Sequence, residues 1–152
     1  MGSSDLVLRW EPLGGLSAEV VDQVHNAVLG GFEGAGFGRA TAYAAAVVVE
    51  ELCTNILEHS GAKWMELDLS SRQGNAHVVL KDDGCAFDAG AAILEQAQVF
   101  DLGSSVERRL GLHMVQQLAS LLSSRRDDKG CNIIELEIRS DLDGLDPAPQ
   151  EL

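Results

Sequence analysis

From Thr41 to about His59 the chain contains neither glycine nor proline and is rich in alanine, which commits it to one long helix. Ser60-Gly61 is the expected stop. Glu51 and Asn55 stand four residues apart in that helix. At about 100° per residue they lie about 40° apart and share a face, with His59 one turn further. One turn before Glu51 come Val47 and Val48, so the carboxylate continues an apolar stripe. A carboxylate in such surroundings holds a proton more readily than one in water, which suits a general base. The neutral amide oxygen of Asn55 suits a hard cation such as Mg2+, which keeps most of its water. The plainer alternative puts both residues on an exposed flank of the helix.

Around this helix the pattern predicts the order β-α-α-β-β-α-α-β. Leu6–Trp10 reads as a short strand closed by Pro12 and Gly14-Gly15. Ser17 is a plausible cap for a helix through about Leu29, with Val20, Val21, Val24 and Val28 as its apolar face. The glycines between Gly30 and Gly38 lack a preceding strand and a following Gly-Lys-Ser/Thr, so they are a helix connector rather than a phosphate loop. Strands are expected over 64–70 and 77–82, joined by a polar turn at 71–75. Helices follow over 89–98 and 110–122, separated by an irregular segment, and then a turn at 127–130 and a last strand over 132–139. Sequential strands as hairpins and helices in pairs favour a two-layer α+β sandwich, with helices on one face of a mixed, mostly antiparallel sheet. Residues 1–140 would form a single domain, and 141–152, acidic with two prolines, a flexible tail.

Asp82 closes the strand in which Val78 and Leu80 share its parity, so it is aimed where the apolar side chains go. A buried carboxylate needs a committed donor, and the exocyclic amino group of a purine would serve. An ordinary Asp-Asp-Gly turn is the competing reading. Gly84 lets backbone approach a ligand ring closely. Gly111, opening the last helix, would leave N–H groups open to an anion, against the plainer reading of an ordinary glycine near a helix N-terminus. Ser104, Ser105, Arg108 and Arg109 precede it and would either help neutralise phosphates or form a solvated loop.

The formal charge of −13, from 24 acidic against 11 basic residues, repels phosphate backbones and anionic lipid, so neither nucleic acid nor a membrane surface is an expected partner. No run of about 18 apolar residues suggests a membrane span, and no basic-then-apolar leader is present. Cys53, Cys85 and Cys131 are scattered without metal-ligand spacing, as in a reducing, cytoplasmic setting. His25 and His77 show no catalytic partner spacing, and His113 is expected on the surface of the last helix. An apolar edge strand at Leu6–Trp10 leaves a homodimer open.

Three segments in this order carry a resemblance. They are Glu51-x-x-x-Asn55 with His59, then Asp82-x-Gly84-x-x-Phe87-Asp88, then Leu110-Gly111-Leu112. Together they resemble the Bergerat-type ATP-binding fold of the GHKL ATPases, the superfamily of gyrase and sensor histidine kinases. The likeness is greatest to bacterial anti-sigma-factor serine/threonine kinases and covers nearly the whole chain, to about Arg139. The resemblance implies ATP and Mg2+ as cofactors, with Asn55 holding the metal and Glu51 as general base. It implies that Asp82 binds the adenine amino group beside Gly84 and Ala86, and that residues from about Ala89 to Arg109 form a lid. Leu110, Gly111 and Leu112 would meet the phosphates. The implied partners are an anti-anti-sigma-type protein, phosphorylated on serine or threonine, and a sigma factor. The chain departs from the family's glycine pattern at Ala86, Glu107 and Arg109. A partner-binding module of the same fold, with weak nucleotide binding or no turnover, therefore stands as the alternative.

Overall fold

The structure, a computed structural model, describes residues 6–11, 17–85 and 119–138. The elements there are β1 (Leu6–Trp10), α1 (Ala18–Gly34), α2 (Arg39–His59), β2 (Met65–Arg72), β3 (Asn75–Asp82), β4 (Ala119–Arg126) and β5 (Asn132–Ile138). The strands form one five-stranded sheet in the order β1-β2-β3-β5-β4. Every described pairing is antiparallel, where a mixed, mostly antiparallel sheet was expected. The two helices pack together and cover one face of the sheet, giving the expected two-layer α+β sandwich.

Register explains the core. Leu67 sits opposite Leu80, which sits opposite Ile134, and the next row is Leu69, Val78 and Leu136. All six are buried beneath the helices. The long helix is the centre of that layer: Ala42, Ala45, Ala46, Val48, Val49 and Cys53 have no exposed surface. Its alanines let α1 approach closely. Burial, and secondarily the Glu50 charge, pushes the Cys53 thiol up to about 12, so it packs as an inert apolar group. By length and composition alone Arg39–Glu58 would pass for a membrane span, but here it is the core helix of the sandwich.

α1 takes in Gly30, Gly31 and Gly34, so the helix connector expected between Gly30 and Gly38 shortens to residues 35–38. The stripe Val20, Val24, Val28 continues to Phe32, which is buried and meets Phe37 edge to face at 5.4 Å. Burying such a ring contributes about 1.5–3 kcal/mol, which offsets much of the cost of about 1 kcal/mol for each helical glycine. Gly31 also lies close against the sheet. A Cβ there would stand 3.0 Å from Leu69 Cδ1 and 3.1 Å from Leu6 Cδ2, so a bare backbone lets the helix settle on the sheet.

The β2–β3 hairpin turns through Gln73 (φ 55°) and Gly74 (φ 84°), with Arg72 and Asn75 as the closing pair. Two successive positive φ angles give the type I′ turn that matches strand twist. On the outer parity of β3, His77 is buried, with Nε2 2.7 Å from Glu135 Oε2 and Nδ1 3.3 Å from Ser70 Oγ.

The largest correction lies at β4. The helix expected over 110–122 cannot extend through Ala119–Leu122, because this stretch begins a strand that pairs with β5 across a register shift between Leu121 and Ser123. Backbone pairing with β5 outweighs the helical spacing of its leucines. Asp127 closes the β4–β5 turn by accepting from the backbone N–H groups of Lys129 (3.0 Å) and Cys131 (2.9 Å). Those bonds, that from Cys131 foremost, hold its carboxyl below the usual range.

The helix expected over 89–98, the lid, Ala86, Leu110, Gly111, Leu112 and the tail over 141–152 lie outside the described residues.

Candidate functional site

Asp82 ends β3 on the inward parity, between Met65 on one side and Asn132 on the other, and is 2% exposed. Its Oδ1 accepts from the Gly84 N–H at 2.8 Å and from Asn132 Nδ2 at 3.1 Å. Burial raises its pKa above the ordinary carboxylate value. The Asn132 amide and the Gly84 N–H oppose that rise, and the neighbouring Asp83 charge adds to it. The expectation of an inward carboxylate with committed donors holds.

The rest of the Asp-Asp-Gly segment is more than a surface turn. Asp83 Oδ1 accepts from the backbone N–H groups of Lys63 (2.8 Å) and Trp64 (3.0 Å), fixing the turn to the entry of β2. Gly84 lies directly on the end of α2. A Cβ at that position would come 2.3 Å from Ser60 Oγ, 2.4 Å from Ser60 Cβ and 2.6 Å from the Ser60 carbonyl oxygen. The requirement for glycine is therefore steric: Gly84 is absent from the positive-φ glycines. The Cys85 N–H donates to the Ser60 carbonyl at 2.8 Å. The Ser60 hydroxyl donates to the Ile56 carbonyl at 2.9 Å. The stop signal of the long helix is thus the anchor of the Asp82 segment.

That anchor sets the order along the site. Asn55 precedes Ser60 by five residues and Glu51 by nine, which is about 7.5 Å and about 13.5 Å along a helix axis. An extended ligand with its head at Asp82 would meet first Asn55 and then Glu51. Glu51 is half-buried, as its apolar surroundings require. Asn55 has no exposed surface.

Two residues escaped the sequence reading. Asn132 bridges three groups: its Nδ2 donates to Asp82 Oδ1 and to the Cys85 carbonyl (2.9 Å), and its Oδ1 accepts from Arg126 Nη1 (3.0 Å). Arg126 Nη1 also lies 3.4 Å from the Gly84 carbonyl. A signal for Asn132 was present, since it is the polar residue on the parity of Ile134, Leu136 and Ile138, as Asp82 is on β3. Arg126 carries no such signal; the register opposite Asn132 places it.

Residues 14–138 match the model of the histidine kinase-like ATPase domain. The chain belongs to that family. None of the curated proteins matches the chain. Membership in the histidine kinase-like ATPase family implies ATP binding, and the α+β sandwich agrees with it. Among the described residues no cluster of three or more His, Cys, Asp or Glu side chains could hold a metal ion. Asn55 supplies one neutral oxygen, which fits a cation carried mainly by phosphate oxygens and water rather than caged by protein.

Proposed function

We propose that the chain is an ATP- and Mg2+-dependent protein serine/threonine kinase of the anti-sigma-factor type, which phosphorylates and sequesters a regulatory partner. Asp82 carries this reading. It is a buried carboxylate with ordered donors on one oxygen, tied through Gly84 and Cys85 to the helix that bears Asn55 and Glu51. An adenine amino group donating to Asp82 would lay the nucleotide along α2. Mg2+, when bound, would neutralise charge on the phosphate oxygens, and Asn55 would be its protein ligand.

Glu51 would accept the proton of a partner serine or threonine as that hydroxyl oxygen bonds to the γ-phosphorus. The bond from phosphorus to the β–γ bridging oxygen breaks, and ADP leaves. Phosphoryl transfer of this kind needs mainly positioning and charge neutralisation. Ala86 beside the base, and Leu110, Gly111 and Leu112 at the phosphates, complete the proposed set. The partners are an anti-anti-sigma-type protein and a sigma factor, and β1, an edge strand with Val7 55% exposed, is where a second copy would pair.

The test is transfer of labelled γ-phosphate from ATP to a purified anti-anti-sigma-type protein. Serine or threonine labelling that is lost in Glu51→Ala supports the kinase. Tight partner binding with nucleotide bound but no labelling replaces it with the partner-binding module.

A further inference from the structure

Arg126 lies outside every role given so far, yet it ends the polar row that Asp82 and Asn132 begin. The chemistry of the Asn132 neighbours allows only one orientation of its amide. A guanidinium is solely a donor, whereas a carboxylate and a backbone carbonyl are solely acceptors. With Oδ1 toward Arg126 Nη1 (3.0 Å) and Nδ2 toward Asp82 Oδ1 (3.1 Å) and the Cys85 carbonyl (2.9 Å), all three contacts join a donor to an acceptor. A reversed amide would set donor against donor at Arg126 and acceptor against acceptor at the other two.

We infer that Arg126 is a positioning residue for base selection, which acts through Asn132 to hold Asp82 as a charged, correctly turned acceptor for a 6-aminopurine. This rests on the reading of Asp82 as the contact for an adenine amino group. Adenine offers an amino donor at position 6, whereas guanine and hypoxanthine offer a carbonyl acceptor there. An ionised Asp82 accepts from the first and repels the second. A protonated Asp82 donates and so tolerates the second. Whatever lets the Asn132 amide turn removes a donor from Asp82, favours the protonated form, and erodes the choice between the two bases. Arg126 also bridges to the Gly84 carbonyl (3.4 Å), so the same guanidinium steadies the backbone beside the base.

The experiment measures Kd for ADP and for IDP by calorimetry at neutral pH, in the wild-type chain, Arg126→Met and Arg126→Lys. Methionine keeps length without a donor, and lysine keeps a donor. Loss of one charge-assisted hydrogen bond predicts an IDP-to-ADP Kd ratio lowered about tenfold in Arg126→Met, with most of it restored in Arg126→Lys. A residue that merely braced the β4–β5 hairpin would lower thermal stability and leave the ratio unchanged, and that result overturns the inference. An Arg126→Met chain too unstable to titrate is replaced by Arg126→Leu, which also lacks a donor, with the same criterion. A wild-type chain that prefers ADP while the variants share its ratio overturns this inference alone. A wild-type chain that binds neither nucleotide overturns the adenine reading and this inference together.

Discussion

Replacing Asp82 by Asn should weaken nucleotide binding without weakening the fold. In the folded chain Asp82 Oδ1 accepts from the Gly84 N–H (2.8 Å) and from Asn132 Nδ2 (3.1 Å), and the amide oxygen of an asparagine can accept both. What disappears is the charge. A charge-assisted hydrogen bond to the adenine amino group is worth about 1.5–3 kcal/mol, so ATP affinity should fall roughly tenfold to a hundredfold. Stability should move the other way. Burial raises the folded pKa of Asp82 above its unfolded value, so the folded state takes up this proton more readily than the unfolded chain. The ionised group therefore costs stability at neutral pH, and that cost disappears as pH falls through the raised folded pKa toward about 3.9. Asp82→Asn should melt at or above the wild-type temperature at pH 7, by about 2–4 °C for each kcal/mol gained, and lose that advantage in mild acid. Calorimetric titration with ATP-Mg2+ and thermal melts at pH 7 and pH 5 measure both halves. Unchanged ATP affinity removes Asp82 from the site. A large drop in melting temperature at pH 7 refutes the energetic reasoning.

Other perturbations separate the parts. Glu51→Ala should retain nucleotide binding but slow phosphoryl transfer by about 10² to 10⁴, and full-rate transfer in a labelling assay would show that Glu51 is not the base. Gly84→Ala forces a methyl group into Ser60 and should cost about 1–3 kcal/mol, read as a lower denaturation midpoint; an unchanged midpoint would mean the α2 anchor is soft. Phe32→Ala should cost about 3–5 kcal/mol if α1 extends to Gly34 as a packed helix, and an effect below 1 kcal/mol would contradict that packing. Asp127 has a depressed folded pKa, so its contribution is present above about 3.9 and lost as pH falls through the lower folded value. Hydrogen-exchange protection of the Lys129 and Cys131 amides should fall over that acid range in wild type and be low at all pH in Asp127→Ala.

The sandwich was legible where a period and a stop signal agree. Thr41 to His59 shows helix by composition and ends at Ser60-Gly61, and the inward alternation of Val78, Leu80 and Asp82 exposes both a strand and its odd residue. β4 was not legible. As an edge strand it draws its order from pairing with β5, and its serines and arginines carry little strand signal. The end of α1 was hidden because Gly30 and Gly31 read as a breaker, while the close approach at Gly31 is to Leu69 on a distant strand. The site divided in the same way. Glu51, Asn55, Asp82 and Gly84 stand out by spacing and parity, whereas the Arg126–Asn132–Asp82 chain exists only through register across β3, β5 and β4.

In the proposed function an adenine nucleotide is held with its base at Asp82 and its phosphates along α2. Calorimetric titration of the wild-type chain with ATP in the presence of Mg2+ tests it most directly. The expected result is saturable one-site binding that GTP does not reproduce. No heat at millimolar ATP, or equal affinity for GTP, would contradict it.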